Sequence, residues 1–348
     1  MTNRLRWLLR RAIQFRGRYL RPAVGFSYPP RRPASLAYYI GGGIGDAIMT
    51  YPALCLLKCT FPDAQLRVFV PKKPYPVLAR VFEQFEPRAM PAPVPMLSRP
   101  KHRYDIAFSN TVAAFFLTIE CNAYLSARHS YGFHYPDEPP RGRLYTATMP
   151  IADSVHDADQ NIALITRAFR LQSGVGDVAY CRERTRAPAR DAPVVLHPGV
   201  ETGYDYKLWP VDRYNELAGR LTSRGIRVQV LLGPAELYMK SSFAESPFLK
   251  VVLGPGPQGL VDTIRSARLF VGNDSGPAHL AAFCGTPGIT LIGPVNPNRT
   301  APRGKNNVYI HNETACAPCH FARRQCADNR CMKSISVDQV WHEVERML

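Results

Sequence analysis

Nothing in the 348 residues approaches the roughly 18 uninterrupted apolar positions that a membrane-spanning helix requires; stretches such as Val112 to Leu117 are soon broken by polar residues. No segment is expected to cross a bilayer. Disulfide patterning is also missing. Of the nine cysteines, Cys55, Cys59, Cys121 and Cys284 fall in apolar helical patterns, which fits a reduced, cytoplasmic chain rather than a cross-linked one. There is no repeat of fixed period. Acids are scarce beside bases, 27 against 44, and the first 35 residues contain no Asp, Glu or Lys. They hold nine Arg instead, so this leader supplies nine of the 17 excess positive charges. Leu5, Leu8, Leu9 and Ile13 fall at helical spacing among those Arg, with Trp7 beside them. The pattern fits a basic amphipathic helix on an anionic membrane surface, or a disordered basic tail. It does not fit a cleaved secretory signal, because Arg interrupts the apolar stretch and no small-residue cleavage site follows. No nucleic acid partner is expected, since the charge excess is concentrated in the leader and no RNA-binding motif accompanies it.

What remains is ordinary globular composition, 46% apolar and 20% charged, in a chain long enough for about two domains. From residue 34 onward short β-rich runs alternate with helical patterns. The expected strands are Leu36 to Ile40, Leu66 to Val70, Tyr104 to Ser109, Val194 to His197, Arg227 to Leu232, Val251 to Leu253, Leu269 to Val271 and Gly288 to Ile292. Such alternation argues for an α/β chain with parallel sheets built from βαβ units. The polar, Pro-containing stretch from Arg182 to Pro193 reads as a linker between two domains, and the Pro-rich stretch from Pro87 to Pro100 as a loop inside the first.

Three strand ends carry candidate chemistry. The first strand runs into Gly41-Gly42-Gly43-Ile44-Gly45-Asp46 and then a helix. Glycines such as Gly43 and Gly45 let backbone approach a ligand and aim amides at an anion. The dinucleotide spacing fails because Asp stands at position 46, which leaves a carboxylate at a helix start, either a ligand-facing group or a helix cap. In the second half, a strand ends at His197-Pro198-Gly199 and leads to Lys207-Leu208-Trp209-Pro210 before a helix. Lys207 reads as a phosphate-meeting cation or as a surface Lys beside a packing Trp. The next strand gives Gly233-Pro234-Ala235-Glu236, where Glu236 either meets a ribose hydroxyl or starts a helix. The third cluster, Gly272-Asn273-Asp274-Ser275-Gly276-Pro277-Ala278-His279, opens a tight helix. Asp274 or Ser275 can cap it, Gly276 exposes amides, and the helix dipole suits a departing diphosphate; His279 reads equally as a buried histidine.

GGGIGDAIMTYPAL, HPG with KLWPVDRYNELAGRL, LLGPAE and GNDSGPAHLAAFCGTPGITLIGP, in this order, resemble glycosyltransferase family 9, the ADP-heptose lipopolysaccharide heptosyltransferase family. The resemblance runs from about residue 35 to the end, and the last motif is its most discriminating part. It implies a GT-B fold, two Rossmann-like parallel-sheet domains facing a central cleft. The domains expected are a basic extension (1–33), an acceptor-side domain (34–185) and a donor-binding domain (186–348) with a Cys-rich loop at 316–331. The implied activity is inverting transfer of heptose from ADP-L-glycero-D-manno-heptose to a lipopolysaccharide inner-core acceptor, at the cytoplasmic face of the inner membrane. Asp46 matches the catalytic base, Lys207 the diphosphate-contacting lysine, Glu236 the nucleotide-ribose acid, and Asp274, Ser275, Gly276 and His279 the donor-binding helix start. Tyr51 before Pro52 departs from the family pattern, as does the Arg-rich leader, and both bear on the acceptor. The same fold with another nucleotide sugar, or with a protein or other glycan as acceptor, is the alternative; a nucleotide-dependent dehydrogenase is disfavoured by the broken glycine pattern.

No catalytic metal is expected. Asp157-Ala158-Asp159 spells a D-x-D, but it opens a helical pattern and reads as capping. A different metal site is offered by Cys316, Cys319, Cys326 and Cys331, spaced C-x2-C-x6-C-x4-C. Four thiols in this span can close a structural tetrahedral site for Zn or Fe, or stay as thiols packed in a loop.

Overall fold

The computed structural model describes residues 28–90, 103–112, 126–136, 145–172, 189, 191–319, 326 and 328–348. Residues 1–27 of the basic leader and most of the expected linker lie outside these residues. Contacts divide the chain into two compact units, Met1–Val178 and Ala179–Leu348.

In the first unit β1 (Ser35–Tyr39) leads into α1 (Ile44–Thr60), followed by β2 (Gln65–Val70), α2 (Tyr75–Val81), β3 (Arg88–Ala89), β4 (Tyr104–Ser109), β5 (Ala127–His134), β6 (Ala147–Pro150) and α3 (Asp157–Phe169). The strands form one parallel sheet in the order β3-β2-β1-β4-β5-β6. Leu36, Ala37 and Tyr38 of β1 are fully buried, as central parallel strands covered on both faces must be. Helix α1 is buried along most of its length and packs against α3. Tyr51 is part of that burial: its ring meets Phe82 at 5.2 Å and Phe85 at 5.6 Å between centroids.

The second unit repeats the plan. It contains β7 (Val194–His197), α4 (Val211–Ser223), β8 (Val228–Leu232), β9 (Leu249–Leu253), α5 (Gly256–Ser266), β10 (Leu269–Asn273), α6 (Gly276–Phe283), β11 (Gly288–Ile292), α7 (Pro297–Thr300), β12 (Asn307–His311), α8 (Arg330–Lys333) and α9 (Val337–Met347). Its parallel sheet runs β12-β11-β10-β7-β8-β9. Counted within its own unit, each sheet therefore has the order 3-2-1-4-5-6 of a dinucleotide-binding α/β fold. The GT-B class implied by the motifs holds. Four strands, β3, β5, β6 and β12, were not among those expected, and β3 lies within the stretch read as a loop from Pro87.

In each sheet the strand order reverses between two central neighbours, β1 and β4 in one unit and β7 and β10 in the other. The connections leave in opposite directions there, and a crevice opens at the carboxyl ends. A buried asparagine bridges each reversal. Asn110, just past β4, accepts the Gly41 N–H at 2.9 Å and donates to the Gly41 carbonyl at 3.2 Å. Asn273, the last residue of β10, donates Nδ2 to the Pro198 carbonyl at 2.7 Å and accepts the Trp209 N–H at 3.1 Å and the Tyr214 hydroxyl at 3.0 Å. Asn273→Ala would leave the Trp209 N–H and Pro198 carbonyl without this partner in a buried setting. It is expected to lower stability by about 2–4 kcal/mol, read as a lower urea midpoint at an unchanged m-value.

Candidate functional site

In the first unit the glycine-rich turn delivers Asp46 at the third position of α1, where the Gly43 N–H donates to its Oδ2 at 2.7 Å. The carboxylate thus answers one of the unpaired amides at the helix start. The glycine that this geometry demands is Gly42. It has φ +82°, and a Cβ there would lie 2.1 Å from Asp46 Oδ2, whereas at Gly43 the nearest atom is 3.9 Å away. The motif spacing does not single out Gly42; the signal is a positive φ that only the fold reveals. Gly45 is buried within the first turn of α1.

In the second unit β7, β8 and β10 bring their expected residues to the carboxyl ends of the strands. Lys207 closes a single 3-10 turn, Asp205–Lys207, and its Nζ meets Asp274 Oδ2 at 2.7 Å. Their side chains are 14% and 7% exposed, so this pair is shielded in a way the rim pairs of Arg220 or Arg224 are not. His279 stands one turn into α6 with Nε2 4.0 Å from Asp274 Oδ1, and it is buried. Ser275 is the N-cap residue of α6, yet its hydroxyl makes no capping bond and is buried with no hydrogen-bond partner. Gly276 begins the helix. A shielded cation, an unsatisfied hydroxyl and the first amides of a helix are a set that suits an anionic oxygen.

Glu236 lies over two glycines. Its Oε2 accepts the Gly233 N–H at 2.5 Å, and a Cβ at Gly199 would come within 2.6 Å of its carboxyl carbon. His197 is buried at the end of β7, with Nδ1 donating to the Leu231 carbonyl at 2.9 Å and Nε2 left as the acceptor nitrogen. Burial pulls its pKa below the ordinary 6.5, against smaller opposing effects of that bond and of Glu236.

The D-x-D segment forms the first turn of α3. His156 is the N-cap residue of α3, its Nδ1 accepting the Ala158 N–H at 3.2 Å, while Asp157 is buried and accepts from Gln160 Nε2 at 3.0 Å. A histidine is a rare cap by preference, so the sequence pattern does not single out His156. Asn110 went unread as well, since a lone Asn after a strand belongs to no spacing motif, and Asn273, though inside the third cluster, was given no role of its own.

All four thiols of the cysteine cluster line one cavity of about 160 Å³, together with Tyr206, Pro294, Asp328 and Arg330. The Asn329 N–H donates to Cys326 Sγ at 3.3 Å. A Cβ at Gly293 would sit 2.9 Å from Cys331 Sγ, so that glycine leaves the sulfur its room. Burial pushes the Cys331 thiol up, and the other three thiols add to the shift. The donor set suits a soft metal. Among the described residues, no group of three or more His, Cys, Asp or Glu stands arranged to hold a metal ion. No helix among them is long and apolar enough to cross a membrane.

The family model for glycosyltransferase family 9 (heptosyltransferase) matches residues 119–329. The chain is 30% identical over 188 residues to lipopolysaccharide heptosyltransferase 1 of Pseudomonas aeruginosa, covering 52% of each chain. It therefore spans about half the length of that relative. Its fold is like that of the E. coli heptosyltransferase WaaC solved with ADP (TM-score 0.67, 20% identity, 90% of this chain and 100% of that one). It is also like that of the iron-containing dodecameric glycosyltransferase TibC of enterotoxigenic E. coli H10407 (TM-score 0.59, 15% identity, 91% and 78%).

The His197 environment makes a pH prediction. A histidine held neutral by burial binds its proton more readily unfolded, so its contribution is complete above pH 6.5 and is lost as pH falls through the lowered folded value. The thermal midpoint should fall between about pH 7 and pH 5, and fall less in His197→Asn, whose amide can make the Leu231 bond without titrating.

Proposed function

The chain belongs to glycosyltransferase family 9, and from that premise we propose that it is an inverting transferase moving heptose from ADP-L-glycero-D-manno-heptose to a hydroxyl of the lipopolysaccharide inner core. The observation that carries the reading is the shielded Lys207–Asp274 pair beside the start of α6, with the Ser275 hydroxyl unsatisfied next to it. That arrangement suits the diphosphate of a nucleotide sugar. The ADP complex of a fold neighbour and the curated heptosyltransferase relative support the same donor.

The step needs no oxidant or reductant. Asp46 takes the proton of the acceptor hydroxyl; the oxygen attacks the anomeric carbon from the face opposite the diphosphate; the bond from that carbon to the β-phosphate oxygen breaks, and ADP leaves with the electron pair. The Gly43 N–H bond helps to aim the Asp46 carboxylate. Lys207 and the amides at the start of α6 counter the charge that grows on the departing diphosphate. Glu236 is assigned to the nucleotide ribose, and Gly43, Gly45, His197, Asp274, Gly276 and His279 to the walls of the donor and glycine-turn sites.

We assign Cys316, Cys319, Cys326 and Cys331 to a structural Zn or Fe site, a reading supported by their shared cavity, by the Asn329 bond to Cys326 and by the iron of a fold neighbour. When bound, such a metal supplies a cross-link between the cysteine-rich segment and α8. The leader, by its Arg and Leu pattern, is assigned to anionic lipid at the cytoplasmic face of the inner membrane.

Four outcomes test this. Offered ADP-heptose and a truncated core acceptor, with products read by mass spectrometry, Asp46→Asn should lose about 10²- to 10⁴-fold in turnover while still binding ADP. Near-normal turnover in that variant would reduce Asp46 to a cap. Lys207→Ala should lose about 10²- to 10³-fold, and transfer by the wild type should persist in EDTA. A strict need for added Mg²⁺ would count against Asp157 and Asp159 as purely structural. Deleting residues 1–30 removes seven Arg, each worth about 1 kcal/mol near an anionic surface. The intact chain should sediment with anionic vesicles and release in salt, while the deleted form stays in solution; equal sedimentation would clear the leader of that role.

A further inference from the structure

Lys207 is held from both sides by the cysteine-rich segment. On one side Tyr206, 4% exposed, walls the cavity that the four thiols share. On the other, the Leu208 carbonyl accepts the side-chain amide of Asn329 at 2.9 Å, and the same Asn329 gives its main-chain N–H to Cys326 Sγ at 3.3 Å. One residue further, Trp209 donates its indole N–H to the Ile335 carbonyl at 2.9 Å. Ile335 lies just beyond α8, the short helix that carries Cys331. The opposite anchor is Asn273, which takes the Trp209 main-chain N–H. The segment that presents the ammonium is thus slung between the sheet and the thiol cluster. Cys326, through Asn329, is thereby linked to Leu208, next to Lys207, and Cys331 shares a cavity wall with Tyr206.

We propose that the thiol cluster, closed on a thiophilic metal ion (zinc or iron), is a positioning device for Lys207 and thereby sets the affinity of the donor site for a nucleoside diphosphate. This rests on the four-cysteine reading above and adds what the metal does for the donor site. With the cluster closed, Asn329 and Tyr206 are fixed before the ligand arrives. With it open, binding must order the Tyr206–Trp209 segment itself, which weakens affinity. Asn329 is a positioning residue in this scheme; it acts through Leu208.

The test uses the full chain and ADP as probe. Metal content is measured by elemental analysis, with visible absorption separating iron from silent zinc, and ADP affinity by calorimetry. The protein as purified should hold one metal ion per chain. Stripping under reducing conditions should weaken ADP about tenfold, and returning Zn²⁺ should restore it. Asn329→Ala should keep its metal yet weaken ADP about five- to tenfold, which also decides the matter if the stripped chain unfolds by circular dichroism. In a Lys207→Ala background neither change should weaken ADP further, the result that separates positioning of Lys207 from general loosening of the unit. Unchanged affinity in Asn329→Ala, or equal weakening with and without Lys207, overturns the proposal. A chain that binds ADP but holds no metal removes the four-cysteine reading and this inference with it. A wild type that binds metal but not ADP instead sinks the donor-site reading on which both stand.

Discussion

Two adjacent parallel strands whose connections leave in opposite directions must have loops that part, and at that parting the sheet leaves main-chain groups without strand partners. In the second unit Asn273 resolves this with one side chain: its amide reaches the Pro198 carbonyl on the β7 side, and its carbonyl receives the Trp209 N–H and the Tyr214 hydroxyl. Three residues of the proposed donor site adjoin that bridge. Lys207 lies two residues before Trp209, Asp274 follows Asn273 directly, and Gly199 follows Pro198. In the first unit Asn110 makes the equivalent link to Gly41, at the head of the turn that delivers Asp46. The same constraint, met twice by the same residue type, explains why each unit presents its chemistry at the reversal of its strand order.

The ion pair between Lys207 and Asp274 is best weighed against the pairs on the rim. Arg220 and Arg224 pair with carboxylates in the open, where such contacts contribute about 0–1 kcal/mol. Lys207 and Asp274 are largely withdrawn from water, where desolvation offsets much of the attraction and an apolar pair of like volume would serve stability as well. A shielded ammonium at a helix start is therefore poorly explained by folding alone. It is well explained by an anionic ligand that engages the cation when it binds.

The central strands were legible because parallel strands covered on both faces are mostly apolar, and β1, β4, β7, β8, β10 and β11 read as such runs to within a residue or two. The missed strands are those that escape this rule. β3 is two exposed residues, β6 is a short ATMP, β12 has every residue at least partly exposed, and β5 is the polar run ARHSYGFH. The site was legible where several residues share a motif, as from Asp274 to His279. It was not legible where one side chain acts at long range: Gly42 is demanded by a carboxylate four residues on, and Asn329 by a carbonyl 121 residues away. Spacing patterns carry local geometry, and neither of those constraints is a matter of spacing.

The Ser275 hydroxyl turns these strands of argument toward one end. A buried hydroxyl without a partner costs about 1–3 kcal/mol, and Ser275 occupies the position where a serine ordinarily satisfies a helix amide. Here the side chain declines that bond, although α6 is otherwise among the most completely buried helices of its unit. A site that forgoes an available cap, shields a cation and keeps glycine at the first helical position has given up stability at three adjoining points. The buried sheet and the Asn273 bridge can carry that loss, and an oxygen-rich anion seated at the start of α6 would recover it on binding, which is the economy expected of a site shaped for its ligand rather than for the empty fold.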